Sequence, residues 1–578
     1  MYRCISSTLG KVTGRQAAQR LCGLPGCDTR WTVLLDLNPL VLYPFMPSSF
    51  SNPNRHFVLG HIALVAIIFI ASTGLAQAQT PARPSGALPA LGDTSELSAS
   101  AERRLGDRIA ASIYRDPDYL DDPVLGDYLQ GIWQPLMTAA RARGELGPEL
   151  DERFAWDVMQ IRDRSINAFA LPGGYLGVHL GLIGAVATRD ELASVLAHEL
   201  SHVTQRHISR LMSKQSQQMP WLIAAMILGA LAANKSPDAA NAAIAGGQAL
   251  AVQNQLNFSR DMEREADRVG FGVMADAGFD KEGFASMFDK LQQASRLNDN
   301  GAFPYLRSHP LTTERIAEIK GRLQLEGGAS SAPKGASEEP GGVRTLHAMM
   351  AGRARVLGDP GVDGLRPLVA DAQRVSLAGS ANAALTPRDA GALYGGALAA
   401  SRLRDHALAR SLVGKLKSAV PPKTPLADPV EWLVLEIELA AGNTAGLPRL
   451  SNTRSRAALL LQARADLAAG RAQDVSGALQ AWVTTHPKDA IAWQLLATAW
   501  GQQGQTLRAI RADAESRVAQ LDYPAARDRF KAAQDLMRSG RDGGAAASNY
   551  IDASIIDTRA REIDRLLQEQ ALQDKLDH

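Results

Sequence analysis

The sequence predicts a mainly α-helical chain in two parts: an α+β domain whose short strands precede a long buried helix, then an α-helical solenoid of repeats. Three observations carry this expectation. Alanine, the strongest helix former, is abundant in the second half, and aromatic residues make up only 5% of the chain, a composition that favours helices over sheets. Between Phe154 and Leu182 the pattern turns extended and is punctuated by Pro172-Gly173-Gly174. Beyond residue 450, large and small residues recur with a weak period of 34. At 578 residues the chain is too long for one hydrophobic core, so at least two domains are expected. Lys and Arg total 62 against 60 Asp and Glu, a net charge of +2, which argues against a nucleic-acid partner because that needs a basic stripe.

The N-terminal part reads as a leader. Phe57–Ala71 is a short apolar run behind Arg55 and His56, and it ends in Leu75-Ala76-Gln77-Ala78-Gln79. A basic flank, an apolar stretch and a small-x-small site describe a cleaved signal peptide over 46–78, with a membrane anchor as the alternative. Met46 has the spacing of an ordinary start, so residues 1–45 read as a mis-assigned extension. The three cysteines, Cys4, Cys22 and Cys27, all precede the cleavage site, so the exported chain would carry neither a disulfide nor a lipoprotein cysteine.

A first domain is expected over 79–326. Residues 79–95 are a loose Pro/Gly/Ser/Ala segment. Helices follow at Ala101–Tyr114 and Pro123–Ala140, then strands within Phe154–Ile161 and Ser165–Leu182. Thr188-Arg189-Asp190-Glu191 is a capping box that starts a long helix. Trp221–Ala233 is apolar for 13 residues, too short to span a bilayer, and reads as a buried or an interfacial helix, the latter giving peripheral membrane contact. A helix over Gly247–Ala277 stops at Gly278. Residues 327–342 form a Gly/Ser/Pro linker. Over 343–578, Trp493, Leu496, Ala497, Trp500, Gly504 and Ala509 occupy tetratricopeptide-like positions; Ala463 and Gly470 lie 34 residues earlier, and Ala526, Phe530 and Ala533 match a further repeat. A generic helical bundle is the alternative, and Ala553–Leu576 reads as a capping helix.

The chemistry lies in the long helix. His198-Glu199-Leu200-Ser201-His202 places two imidazoles four residues apart, on one helical face, where both can reach one ion. Glu199 is placed to reach a metal-bound water without binding the ion itself. Leu192, Val195, Leu196, Leu200 and Val203 make this helix apolar around the pair, so the histidines are not on a solvated face. Tetrahedral zinc, one per chain, needs a third ligand and an open position. The best donor is Glu263, which shares a helical face with Ala266, Asp267 and Gly270. Asp267, one turn on, would orient a ligand histidine. Glu265, two residues out of phase, is the alternative ligand. His207 has no helical phase with the pair and reads as structural.

These motifs resemble the gluzincin zinc metallopeptidases that include HtpX and the CAAX prenyl proteases. The resemblance rests on HExxH followed by Glu263-x-x-x-Asp267, on Asn167-Ala168-Phe169-Ala170-Leu171-Pro172-Gly173-Gly174 with Gly181-Leu182-Ile183, and on Leu306-Arg307-Ser308-His309-Pro310-Leu311 with Arg315-Ile316. It covers about residues 100–322; beyond 343 it rests on architecture. It implies zinc on His198, His202 and Glu263, Glu199 as general base, and substrate extended along Asn167–Leu171. The resemblance implies for His309 either the fourth zinc position in a latent enzyme or oxyanion stabilisation; on sequence alone it could instead be a helix-start residue before Pro310. The leader, the peptidase domain and the repeats together are similar to periplasmic members of the family. That implies an endopeptidase of outer-membrane protein quality control, with misassembled outer-membrane proteins as substrates and the outer-membrane assembly machinery as a partner of the repeats. The alternative is a repeat-scaffold chaperone or assembly factor whose proteolysis is latent or secondary.

Overall fold

The computed structural model describes residues 97–213, 260–296, 304–327, 342–376, 385–444, 446–539 and 546–576. The leader, the cysteines, the apolar run at 221–233 and most of the linker lie outside them. The N-terminal part of the described chain opens with α1 (Ala99–Tyr114), capped by the Ser98 hydroxyl on the Ala101 amide, and α2 (Pro123–Ala142), capped by the Asp122 carboxylate on the Leu125 amide. Both caps satisfy amides that a helix start leaves without a partner. A short α3 (Pro148–Arg153) follows.

Four short strands make one sheet: β1 (Tyr119–Leu120), β2 (Asp157–Ile161), β3 (Ala168–Leu171) and β4 (Tyr175–His179), in the order β1-β2-β4-β3. β2 and β4 are parallel, in register from Asp157 opposite Tyr175 to Ile161 opposite His179, while β3 lies antiparallel to β4 and forms the sheet edge. The expected strand through Leu182 stops at His179; Leu180–Ala185 is helix α4. A short apolar run bounded by glycines has the same composition in either state, and here the local bond from the Val186 amide to the Leu182 carbonyl closes a helical turn.

Helix α5 (Arg189–Thr204) begins at Thr188, whose hydroxyl accepts the Glu191 amide at 3.1 Å. The reciprocal half of the expected box is displaced: Glu191 accepts the Ala187 amide at 2.6 Å and is also held by Lys290 at 2.8 Å. α5 is buried nearly throughout. Short α6 (His207–Ser213) follows; then α7 (Arg260–Asp276) and α8 (Glu282–Arg296) pack on α5, ahead of α9 (Tyr305–Ser308) and α10 (Thr313–Gly327). Gly270 lets α7 approach α5 closely. A Cβ there would stand 3.1 Å from the Ala197 carbonyl and the His198 amide nitrogen.

From residue 343 the chain is helical: α11 (Val343–Gly358), α12 (Val362–Arg374), α13 (Pro387–Arg402), α14 (His406–Ala419), α15 (Ala427–Ala440), α16 (Arg456–Ala468), α17 (Ala472–Thr485), α18 (Ala490–Gln502), α19 (Thr506–Ala519), α20 (Tyr523–Arg538) and α21 (Ala546–Leu576). Helices adjacent in sequence pack on one another, as in a repeat solenoid. The helices α16 and α18 both end at a glycine with φ near +73°, Gly470 and Gly504, which only a residue without Cβ adopts at little cost. This explains the 34-residue spacing.

The helices from residue 343 onward and the elements before them share a core running from Ala99 to Ala465. α11 packs on α4. Arg353, 1% exposed, donates at 2.6 and 2.8 Å to Asp122 and twice at 2.7 Å to Glu436, so it binds the start of α2 to α15. His347 accepts the Tyr128 hydroxyl at 2.6 Å on Nδ1 and donates from Nε2 to the Val186 carbonyl at 3.0 Å. Arg456 bridges Asp121 and Asp489.

Candidate metal centre

α5 presents His198 and His202 on its buried face, and their Nε2 atoms lie 3.0 Å apart. Across the Gly270 contact, α7 brings Glu263 to 3.4 Å from each of these nitrogens. His309, the residue that ends α9, completes the group: its Nδ1 is 3.3 Å from His198 Nε2 and 3.0 Å from Glu263 Oε1. One donor atom from each of these four buried residues lies within 4.8 Å of all the others. The set fits a metal by its dimensions. A tetrahedron with bonds of about 2.0–2.1 Å has edges of about 3.3–3.4 Å, and two imidazoles with a carboxylate are donors that divalent transition metals take.

Glu199 is fully buried, with Tyr305 and His309 as its polar neighbours. One oxygen stands 3.5 Å from His309 Nε2. Burial holds its pKa above the usual carboxylate range.

Around the cluster the side chains are held from behind. His198 Nδ1 is 2.9 Å from Asp267 Oδ1. Asp267 receives Nε and Nη2 of Arg315 at 2.6 and 2.8 Å, and Arg315 Nη1 also reaches Glu263 at 2.7 Å. Burial opposes charge on Asp267, but the guanidinium prevails and lowers its pKa. Burial likewise opposes a charged Glu263, yet His309, His198 and His202 hold it well below the usual range. His198 is raised to about 9, because Asp267 and Glu263 outweigh its burial, whereas burial and the neighbouring His198 push His202 well down. Tyr305 stacks on the His309 ring at 4.6 Å.

The structure thus brings together His198, Glu199, His202, Glu263, Asp267 and His309. Glu265, the alternative ligand, stands outside the cluster and accepts His207 Nε2 at 3.1 Å and Arg210 at 2.9 Å. His207, which helical phase set aside, lies behind His202 with the two Nδ1 atoms 2.8 Å apart. Phase is no guide there because the chain reverses at Arg206, whose φ is +52°. The role of Arg315 as a clamp was equally invisible; its place beside the His-Pro segment was the only cue.

A helix offering two imidazoles with a carboxylate beside the first, faced by a carboxylate from a second helix, is the framework of a metalloprotease. Residues 129–323 match the model of peptidase family M48, and the chain is a metalloprotease. Over 239 residues it is 36% identical to a Vibrio cholerae protein provisionally named beta-barrel assembly-enhancing protease, a match covering 41% of this chain and 47% of that one. The Escherichia coli K12 beta-barrel assembly-enhancing protease is 28% identical over 443 residues, covering 75% of this chain and 84% of its own. The mitochondrial metalloendopeptidase OMA1 of Arabidopsis thaliana is 30% identical over 164 residues, or 28% of this chain and 31% of that one. Among the described residues, no helix is long and apolar enough to cross a membrane.

Proposed function

We propose that this chain is a zinc-dependent endopeptidase, exported to the periplasm, that removes misassembled outer-membrane proteins, with its repeats recruiting clients or the assembly machinery. The observation that carries the catalytic part is the buried His198, His202 and Glu263 set beside the buried Glu199 carboxylate. The names of the bacterial relatives support the substrate class.

His198, His202 and Glu263 would hold the zinc, which would supply Lewis acidity to the scissile carbonyl and to the attacking water. Glu199 takes the proton from that water and passes it to the leaving amine; its raised pKa suits a group that must carry the proton between the two steps. Asp267 and Arg315 fix His198 and Glu263, so the donors need no reorganisation. The client strand adds to the sheet edge at β3, where backbone hydrogen bonds hold it extended without demanding a sequence. An unfolded β-strand is the client such an edge accepts.

A second reading, a scaffold with latent proteolysis, is favoured by His309. Its Nδ1 sits where a fourth ligand would, and its Nε2 faces Glu199, so both the water position and the base are covered. The domain division (79–326, 327–342 and 343–578) belongs to the same proposal. The purified chain should cleave an unfolded outer-membrane β-barrel, spare the folded barrel, and stop on chelation. Cells lacking it should accumulate the unassembled barrel in the periplasm. Equal cleavage of folded and unfolded barrels contradicts the substrate assignment.

A further inference from the structure

We infer that His207 is a positioning residue: it fixes the tautomer and ring orientation of His202, and Glu265 anchors it in turn. The inference rests on the reading of His202 as a metal ligand and extends it to residues that no ligand motif contains.

The two Nδ1 atoms, 2.8 Å apart and buried, cannot both donate or both accept. For His202 Nε2 to offer its lone pair to a metal, its proton must reside on Nδ1, and that proton is then donated to His207 Nδ1. His207 must accept there and carry its own proton on Nε2. That atom lies 3.1 Å from Glu265 Oε2, an acceptor, so the arrangement closes without conflict. Arg210 holds the same carboxylate oxygen at 2.9 Å. The relay therefore runs from Arg210 and Glu265 through His207 to His202. It is the counterpart of Asp267 behind His198, with an imidazole inserted between ligand and carboxylate.

The backbone is arranged for this contact. Arg206 adopts φ +52°, which reverses the chain directly after α5 and returns His207 beneath His202. A left-handed conformation is unfavourable for a residue with a side chain and persists only where its surroundings impose it. Arg206 is tied to Glu102 at 3.1 Å and to the Leu97 carbonyl. The charge run that contains Glu263 thus backs both histidines of α5: Asp267 stands directly behind His198, and Glu265 behind His202 through His207.

The test compares zinc affinity by chelator competition, the absorption spectrum of the cobalt-substituted chain, and the thermal midpoint of the metal-free chain. His207→Phe keeps the ring volume and removes both hydrogen bonds. His207→Asn keeps an acceptor at the Nδ1 position. We expect His207→Phe to weaken zinc binding about 10–100-fold and change the cobalt spectrum, with the metal-free midpoint unchanged. His207→Asn should restore most of the affinity, and Glu265→Gln should fall between. A His207→Phe chain that binds zinc as tightly as wild type overturns the inference, as does a His207→Asn chain as weak as His207→Phe. His198→Ala serves as the control: if wild type binds no more zinc than this variant, the ligand assignment itself fails and the inference falls with it.

Discussion

Gly270 should be the position at which packing is converted most directly into metal affinity. A Cβ added there meets the Ala197 carbonyl carbon and oxygen and the His198 nitrogen at 3.1 Å, all of them backbone atoms that no side-chain rotation can move. Comfortable contacts lie near 3.5–4.0 Å, so alanine requires the helices to part by a few tenths of an ångström, and the branched side chain of valine by about 1 Å. Glu263 lies on the same face of α7, about 10 Å from Gly270 at 1.5 Å of rise per residue, and moves with it. Metal sites tolerate ligand errors of only about 0.2 Å, and a misplacement of about 1 Å near the reacting centre costs about 10²-fold in rate. Gly270→Ala should therefore retain the metal and lose little stability, because overpacking of about 1–3 kcal/mol is offset by about 1 kcal/mol of helix propensity. Gly270→Val should keep its helical circular dichroism, bind zinc at least tenfold more weakly and turn over about 10²-fold more slowly. Chelator competition and casein cleavage on the same preparations read both quantities. Wild-type affinity and turnover in Gly270→Val would show that the approach of α7 to α5 does not place Glu263.

Three further outcomes are expected. His309→Ala should raise cleavage of clients, or of the chain itself, with zinc retained; lower turnover with zinc unchanged would make His309 a transition-state stabiliser instead. Arg353→Met leaves buried Asp122 and half-buried Glu436 without their counter-charge and should cost about 3–5 kcal/mol in urea unfolding, while adding Asp122→Asn and Glu436→Gln should return most of it; a loss under about 1 kcal/mol would show that the arginine does not hold this triad together. Burial is the chief cause that lowers the pKa of His347 below 6.5, so the unfolded chain takes up the proton first. Stability attributed to His347 is then fully present above about pH 6.5 and lost as pH falls toward its folded value. Between pH 7.5 and 5.5 wild type should lose more thermal stability than His347→Gln, and equal losses would remove His347 from the account.

What the sequence made legible was whatever repeats with a fixed period. His198 and His202 meet because four residues span about one helical turn, and Glu263, Ala266, Asp267 and Gly270 share a face for the same reason. The 34-residue recurrence became visible as the two positive-φ glycines, Gly470 and Gly504. Features that depend on a change of direction or on distant partners stayed hidden. Leu180–Leu182 reads as the end of a strand because its composition serves either state until the Leu182 carbonyl finds an amide four residues on. His207 fell outside any phase argument once Arg206 had left the helix. Arg353 reaches Asp122 across 231 residues, and nothing local in Arg353-Ala354-Arg355 distinguishes it from a surface arginine. Glu191 shows the intermediate case: its cap position followed from Thr188, but the Lys290 bond that redirects its carboxylate is 99 residues away.

His198, His202 and Glu263 are expected to hold a metal, with Glu199 acting as base and not as a ligand. Zinc content by elemental analysis, measured beside casein cleavage for wild type and Glu199→Gln, tests it most directly. The account predicts one zinc per chain in both proteins and a loss of cleavage of about 10²–10⁴-fold in the variant. A variant that loses zinc with its activity, or one that cleaves as wild type does, would contradict it.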